Sequence, residues 1–438
     1  MDSVQMDLVQ MDLVQSDDFV NGSNSPLPRR SRSQGLLGRL LVVVTLLVSA
    51  TQAIPAQAAG DKPEQKTLVV VDFAGGNDGL NTVVPYADPA YIASRPNLAI
   101  DPKTVLRLTD QLGLHPSLAG LSEAWKAGDL AIVLGVGYTK PNRSHFRSIA
   151  IWDSASDPET VGTTGWLARL VKALPPDRSR MADGIIIGEP ASGPLGAPWM
   201  HNLSISSIDA FLRDAADLGL LEATDQPAPS QADACVQTGP QYEVASVGGD
   251  ITRWARALQV LRPTLPDLDS AFPRSAFGRQ TELAAQLLAA GVDVPVIKLT
   301  LRGFDTHVDQ MKAQTTLLKD FGDSMAAFRR AMIQAGRWKS TVVLTYSEFG
   351  RRVEENGSGG TDHGTASPLF VLGGTVDGGK LVGTEPSLAD LDSGDLKFST
   401  DFREVYDTFV RKFWGIRDAA VSSGISGGKV GDLSLFKG

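Results

Sequence analysis

The sequence predicts an α/β fold, a mostly parallel sheet with helices on both faces, and two observations carry that expectation. Short β-branched runs alternate with segments of helical periodicity. The runs are also apolar almost throughout, as strands covered on both sides require. Thr67 to Phe73 is the first strand. Ser117 to Ala127 reads as a helix, with Leu118, Leu121, Ala124 and Trp125 on one face. Strands follow at Leu130 to Val136, Ile185 to Gly188 and Val294 to Leu301. Phe277 to Ala290 and Met311 to Ala335 have helical spacing, and strands Thr341 to Tyr346 and Leu369 to Leu372 come after them. Asp401 to Trp414 closes the fold, with Phe402, Val405, Tyr406, Phe409 and Phe413 along one helical stripe. Beyond Ser422 the Gly- and Ser-rich tail reads as loosely held.

Residues 1–58 read as a disordered leader and an export signal, and 59–438 as a single domain. Met-Asp-Leu-Val-Gln occurs twice within the first 15 residues and offers too little apolar surface for a core. Arg29, Arg30 and Arg32 then precede an apolar stretch from Leu36 to Ala50, and Ala56-Gln57-Ala58 is a small-residue cleavage pattern. That order of charge, apolar run and cleavage site is a secretory signal. The apolar sequence after Arg39 is too short to favour a spanning helix, which needs about 20 residues. No stable membrane span is therefore expected once the signal is removed. The paired arginines fit twin-arginine export and general secretion equally, and the expected location is periplasmic or extracellular. Pro, Gly and Ser thicken after Pro190 and again after Gln226, so residues 190–275 read as an insertion or cap.

A formal charge of −9 with no basic run after the signal argues against nucleic acid as a partner. The single Cys235 excludes an internal disulfide framework.

The residues suited to chemistry lie in short polar clusters just after apolar strands, where ligands gather in an open α/β sheet. Gly75-Gly76-Asn77-Asp78-Gly79-Leu80-Asn81 follows the first strand. Its glycines permit a sharp turn and close approach of main-chain N–H groups to an anion, and Asp78, Asn77 and Asn81 are candidates to bind metal or substrate. A plain Asn-Asp-Gly turn explains the segment equally simply. Arg143-Ser144-His145 follows the second strand, and Phe146, Ile149, Ala150 and Asp153 then take helical spacing. Ser144 is thus a helix cap, a nucleophile in the positive field of a helix N-terminus, or both. Arg143, His145 and Arg147 reinforce that field. Asp305-Thr306-His307 offers two ligands at a strand end, a pairing that suits zinc, although a capping aspartate is the simpler reading. Glu348 and Arg351 end a strand as a carboxylate and an anion contact. Asp362 and His363 sit in a loop between two core strands. His115 reads as structural, and His201 stays open between the two roles. Gly424 to Gly428 fits a hydrolase elbow, but no strand precedes it and no histidine follows it.

Taken together, Gly75 to Asn81, Arg143-Ser144-His145-Phe146, Gly165-Trp166-Leu167-Ala168-Arg169, Phe304-Asp305-Thr306-His307, Ser347-Glu348-Phe349-Gly350-Arg351 and Gly360-Thr361-Asp362-His363-Gly364 resemble the exported bacterial family catalogued as domain of unknown function 1501. That family is grouped with the alkaline phosphatase and sulfatase superfamily. The resemblance implies a three-layer α/β/α sandwich of alkaline phosphatase type with a metal site at the strand ends. It places the acidic ligand of the first strand on Asp78, with Asp72 inside the strand as the alternative, the nucleophile on Ser144, and further ligands on Asp305, His307, Glu348, Asp362 and His363. Phe349 stands where a metal-binding histidine is usual, which weakens a second metal site. The function implied is an exported hydrolase of phosphate or sulfate esters, with Ser144 and His145 catalytic. It would use divalent metal, zinc by its ligand types, at one site or an altered pair. Arg143, Arg147, Arg351, Asn77 and Asn81 would hold a small-molecule or polysaccharide anionic ester. The alternative is a non-catalytic envelope or polysaccharide-binding protein on the same scaffold.

Overall fold

Nine strands form one sheet in the computed structural model, which describes residues 65–160, 162–177, 179–221, 240–268 and 271–438. The leader and signal expected in residues 1–58, Cys235 and part of the segment 190–275 lie outside the described residues. The strands are β1 Thr67–Ala74, β2 Leu130–Gly137, β3 Gly184–Ile187, β4 Asn202–Ile205, β5 Val296–Arg302, β6 Thr341–Tyr346, β7 Ser367–Gly373, β8 Lys380–Val382 and β9 Thr400–Asp401. Their order is β8-β2-β7-β6-β1-β5-β3-β4, with β9 also pairing β2. Every pairing is parallel except the two that β7 makes, with β2 and with β6.

Side chains alternate across a strand, so β1 feeds two cores. Val69, Val71 and Phe73 pack on one face, with Leu318, Phe321, Met325 and Phe328 of a long helix and with Leu283, Leu287 and Leu288 of another. Leu68 and Val70 pack on the opposite face, with Ile151, Trp152, Trp166, Leu170, Phe402 and Tyr406. This is the three-layer α/β/α sandwich, and it explains the uninterrupted apolar strands. The helices that matter here are α1 His145–Ser154, α2 Trp166–Ala173, α3 Ala276–Ala289, α4 Gln310–Gln334, α5 Phe402–Thr408 and α6 Ala419–Ser426. Among the described residues no helix is long and apolar enough to cross a membrane.

Three sequence expectations need correction. Ser117 to Ala127 is a 3-10 turn, Pro116–Leu121, followed by a short α-helix, Ser122–Lys126. A proline at the first turn favours this tight start. The tail beyond Ser422 is held, because α6 buries Ile425 and the chain then buries Leu435 completely. The final stripe from Asp401 is interrupted, since α5 ends at Thr408 and Phe409–Phe413 continues as one π turn.

Candidate metal centre

Parallel strands deliver their following loops to one end of the sheet. β5 delivers Asp305 and His307, β6 delivers Glu348 and Arg351, and β2 leads through Arg143 and Ser144 into α1. The antiparallel β7 starts at that same end, so the loop before it brings Asp362 and His363 there as well. The loops touch so closely that glycine is required. A Cβ on Gly75 would lie 2.4 Å from the Asp305 nitrogen, and one on Gly360 would lie 2.3 Å from the His307 carbonyl carbon.

Four side chains converge there. His145, Asp305 and His363 each offer a ligand atom within 4.8 Å of the others. His307 joins them, its Nε2 lying 3.0 Å from His363 Nε2 and 3.1 Å from Asp305 Oδ1. His363 Nε2 is 3.1 Å from that same Oδ1, and His145 Nε2 is 3.5 Å from Oδ2.

The other ring nitrogen of each histidine is held by oxygen. His145 Nδ1 meets Glu348 Oε1 at 2.8 Å, His307 Nδ1 meets Asp362 Oδ1 at 3.1 Å, and His363 Nδ1 meets the Arg143 carbonyl at 2.8 Å. A carbonyl or carboxylate oxygen accepts, so each Nδ1 carries the proton and each Nε2 presents its lone pair inward. Lone pairs of His307 and His363 therefore face each other and a carboxylate oxygen, an arrangement that repels unless a cation lies between. His145 Nε2 is buried with no hydrogen-bond partner. Metal-bound histidines have this pattern, one nitrogen toward the ion and the other donating to oxygen. The spacings of 3.0–3.1 Å among Asp305, His307 and His363 also suit one small ion, with His145 3.5 Å from Asp305, since zinc–nitrogen distances of about 2.0–2.1 Å separate tetrahedral neighbours by roughly 3.3 Å. The residues fit a divalent metal.

Asp305 anchors the group. Partial burial opposes its ionisation, but the hydrogen bond and the charge of Arg351 outweigh that and bring its carboxyl down to about 2. Arg351 itself is buried. It donates to Gly76 O at 2.7 Å, Thr361 O at 2.9 Å, Phe304 O at 2.8 Å, Gly75 O and Asp305 Oδ1 at 2.9 Å. Its donors are thus engaged within the protein, and Arg351 ties three loops together rather than facing a substrate.

Other sequence candidates sit one layer below or to the side. Asp78 is 1% exposed and pairs with buried Arg95 at 2.5 Å, with Gln310 Nε2 donating to the same oxygen. Asn77 and Asn81 are fully buried. Asn77 Oδ1 accepts from Thr82 at 2.9 Å and Gln314 at 3.0 Å, and Asn81 bridges Leu98 O at 2.8 Å, Tyr91 at 2.7 Å and Arg95 at 2.9 Å. The structure keeps all three away from the histidine cluster. Glu348 accepts from Gly75 N at 2.9 Å and reaches the cluster through His145. Asp362 likewise backs His307. Phe349 lines the centre, its ring 4.5 Å from that of His363 and 4.9 Å from that of His145.

Ser144 is exposed and takes the N-cap position of α1 without a side-chain cap bond. Its neighbours on both sides touch the cluster, Arg143 through its carbonyl and His145 through its ring. The Arg143 guanidinium pairs with Asp395, and Arg147 donates to Pro158 O. His115 accepts from Ser117 N, and His201 pairs with Asp250, both outside the cluster.

No curated protein matches the chain. Among solved structures it is similar to the PsFucS1 sulfatase from Pseudoalteromonas sp., at 10% identity over 81% of this chain and 68% of that chain, with a TM-score of 0.35. The C-terminal periplasmic domain of EcEptC from Escherichia coli, in complex with Zn, gives 10% identity over 71% and 73%, with a TM-score of 0.32. Alkaline phosphatase from the Antarctic bacterium TAB5 gives 12% identity over 70% and 92%, with a TM-score of 0.30. Likeness at this level says nothing of activity. Residues 215–408, which carry Asp305, His307, Glu348 and His363, match the model of the family described as Protein of unknown function (DUF1501).

Proposed function

We propose that this protein is an exported, metal-dependent hydrolase of phosphate or sulfate esters, with zinc as the resident ion. The observation that carries the reading is the inward convergence of three histidine Nε2 atoms on Asp305, each ring held at Nδ1 by an oxygen. Asp305, His145, His307 and His363 would hold the ion. When bound, a divalent cation supplies Lewis-acid stabilisation of anionic oxygens. Ser144 is the nucleophile in this reading, exposed in the positive field at the start of α1. His145 fixes the first turn of that helix against the cluster, and Glu348 keeps the ring of His145 in one tautomer. Arg143, with a side chain 41% exposed, is the cation placed to meet the ester's charged oxygens. Arg351 contributes by holding Asp305 ionised. A small-molecule or polysaccharide ester fits a centre that opens to solvent at Asp305, and the export signal read in the leader fits a periplasmic or extracellular site of action.

One observation favours the second reading, a non-catalytic envelope or polysaccharide-binding protein. Asp78 is paired with Arg95 and Phe349 lines the centre, so no second set of ligands assembles beside the first among the described residues. Metal analysis of the purified protein, followed by a panel of aryl phosphates and sulfates, separates the two. Stoichiometric zinc with turnover that Ser144→Ala abolishes supports the hydrolase. Stoichiometric zinc with no turnover of any ester supports the binding protein.

A further inference from the structure

We infer that Gln310 is a positioning residue for the metal centre, a clamp that fixes the two ligand-bearing loops against each other. The inference rests on the metal-centre reading above and deepens it. Gln310 opens α4 and is fully buried. Its Oε1 accepts from Thr306 Oγ1 at 3.0 Å and from Thr361 Oγ1 at 2.6 Å. Thr306 stands between Asp305 and His307, and Thr361 stands just before Asp362 and His363. One carboxamide oxygen therefore touches both ligand loops. Two hydroxyls donating to the oxygen leave the amide nitrogen toward Asp78, which accepts from it. Asp78 is held in turn by Arg95 at 2.5 Å. The Gln310 backbone N–H adds a bond to Gly359 O at 3.0 Å, on the second loop.

The loops also meet directly. Thr361 N donates to Thr306 O at 3.2 Å, and Asn356 Nδ2 donates to His307 O at 2.9 Å. Those contacts set the spacing of the loops, whereas the carboxamide sets their rotation, since it holds a side chain from each. Rotating either threonine would swing the ligand beside it. His307 and His363 are 3.0 Å apart at Nε2, so an error of about 1 Å in either loop would spoil the shared site. Gln310, Thr306, Thr361, Asp78 and Arg95 are each at most 5% exposed, which excludes water as a ready substitute. A buried oxygen serving two donors is a costly group to lose.

The experiment compares the parent protein with Gln310→Leu, with Thr306→Val/Thr361→Val, and with all three changes combined. Zinc affinity is read by competition with a chromogenic chelator, ligand geometry by the visible spectrum of the cobalt-loaded protein, and folding by circular dichroism in the presence of chelator. Gln310→Leu should bind zinc roughly 10- to 100-fold more weakly, the range for removing a supporting partner, and should shift the cobalt bands. The double valine variant should do the same, and the triple variant should be no worse than Gln310→Leu alone. Should Gln310→Leu fail to fold, the valine pair carries the test, because it leaves Gln310 on Asp78. Folded variants with the parent's zinc affinity and cobalt spectrum would overturn the clamp, as would losses that simply add in the triple variant. A parent that binds no zinc or cobalt at all would instead overturn the metal-centre reading on which the clamp depends.

Discussion

Two layers at the strand ends are built from the same residue types and have opposite character. In the upper layer, Asp305, His145, His307 and His363 turn lone pairs toward one another, and Asp305 is half exposed. In the lower layer, Asp78, Asn77, Asn81, Arg95, Gln310 and Gln314 are all buried and linked by hydrogen bonds, with the one negative charge matched by one positive charge. The lower layer matches its charges and leaves only Gln314 Oε1 without a partner among these residues, whereas the upper layer turns its lone pairs on one another, an arrangement that the cation proposed above would complete. A carboxylate or histidine becomes a ligand not by type or by strand-end position but by having lone pairs that no neighbour satisfies.

The largest effects should come from the upper layer. Asp305→Ala or His363→Ala should weaken zinc binding by about 100-fold or more, beyond the 10- to 100-fold typical of supporting residues. These two residues are 58 apart in sequence yet share one oxygen–nitrogen contact at 3.1 Å. Titration with a chelator checks this, and parent-like affinity in His363→Ala would reduce Thr361 to Gly364 to a structural loop. Glu348→Gln tests the next rank. It keeps the size of the side chain but replaces an ionised acceptor of the His145 Nδ1 proton with an amide, so affinity should fall by roughly tenfold. An unchanged affinity would mean that His145 does not bind the ion.

The buried ion pair of the lower layer, Asp78 with Arg95, should respond in stability. Asp78→Ala leaves Arg95 buried without a counter-charge, and breaking such a pair costs about 3–5 kcal/mol. Chemical denaturation in the presence of chelator measures the loss without any contribution from metal. A change below about 1 kcal/mol would mean that Arg95 finds another partner. Such a value is the usual worth of an exposed pair.

Much of the fold was legible because strand burial on both faces leaves a plain mark in sequence. Thr341–Tyr346 and Ala276–Ala289 lie within a residue of their expected limits for that reason. β4, Asn202–Ile205, was missed because it is short, alternates buried and half-open positions, and sits at the sheet edge. For the site, sequence located the loops but not which of their groups stay unsatisfied. Asp78 and Asp305 look alike as carboxylates after strands. Arg95 separates them, an arginine 17 residues on that caps the C-terminal end of the helix Pro89–Ser94 and has no periodic relation to Asp78. The same holds for Arg351, whose charge suggested an anion contact while its three nitrogens donate to carbonyls and Asp305. Gln310 carried no signal, because a glutamine at a helix start is ordinary unless both ligand loops are known to reach it.

His115 sharpens the contrast from the other side, since it belongs to the buried region. It is 2% exposed, and its Nδ1 accepts from Ser117 N at 3.1 Å, the reverse of the cluster histidines, whose Nδ1 atoms donate. Burial brings its pKa down to about 4, with the charge of Asp78 working against that shift. An unfolded histidine titrates near 6.5. Between those values the unfolded chain takes up a proton that the folded chain refuses, so stability rises with pH across the window and is lost as pH falls through it. The gap corresponds to about 3 kcal/mol, complete only below pH ~4. His115→Asn keeps an acceptor for Ser117 N and cannot titrate. Its denaturation free energy, measured in chelator from pH 7 to pH 4.5, should therefore fall less steeply than the parent's, while its zinc affinity at pH 7 stays at the parent's value. The two proteins differ only at this position, so every other group is common to both sides of the comparison. Equal slopes would mean that His115 accepts a proton in the folded state and that the lower region is open to water.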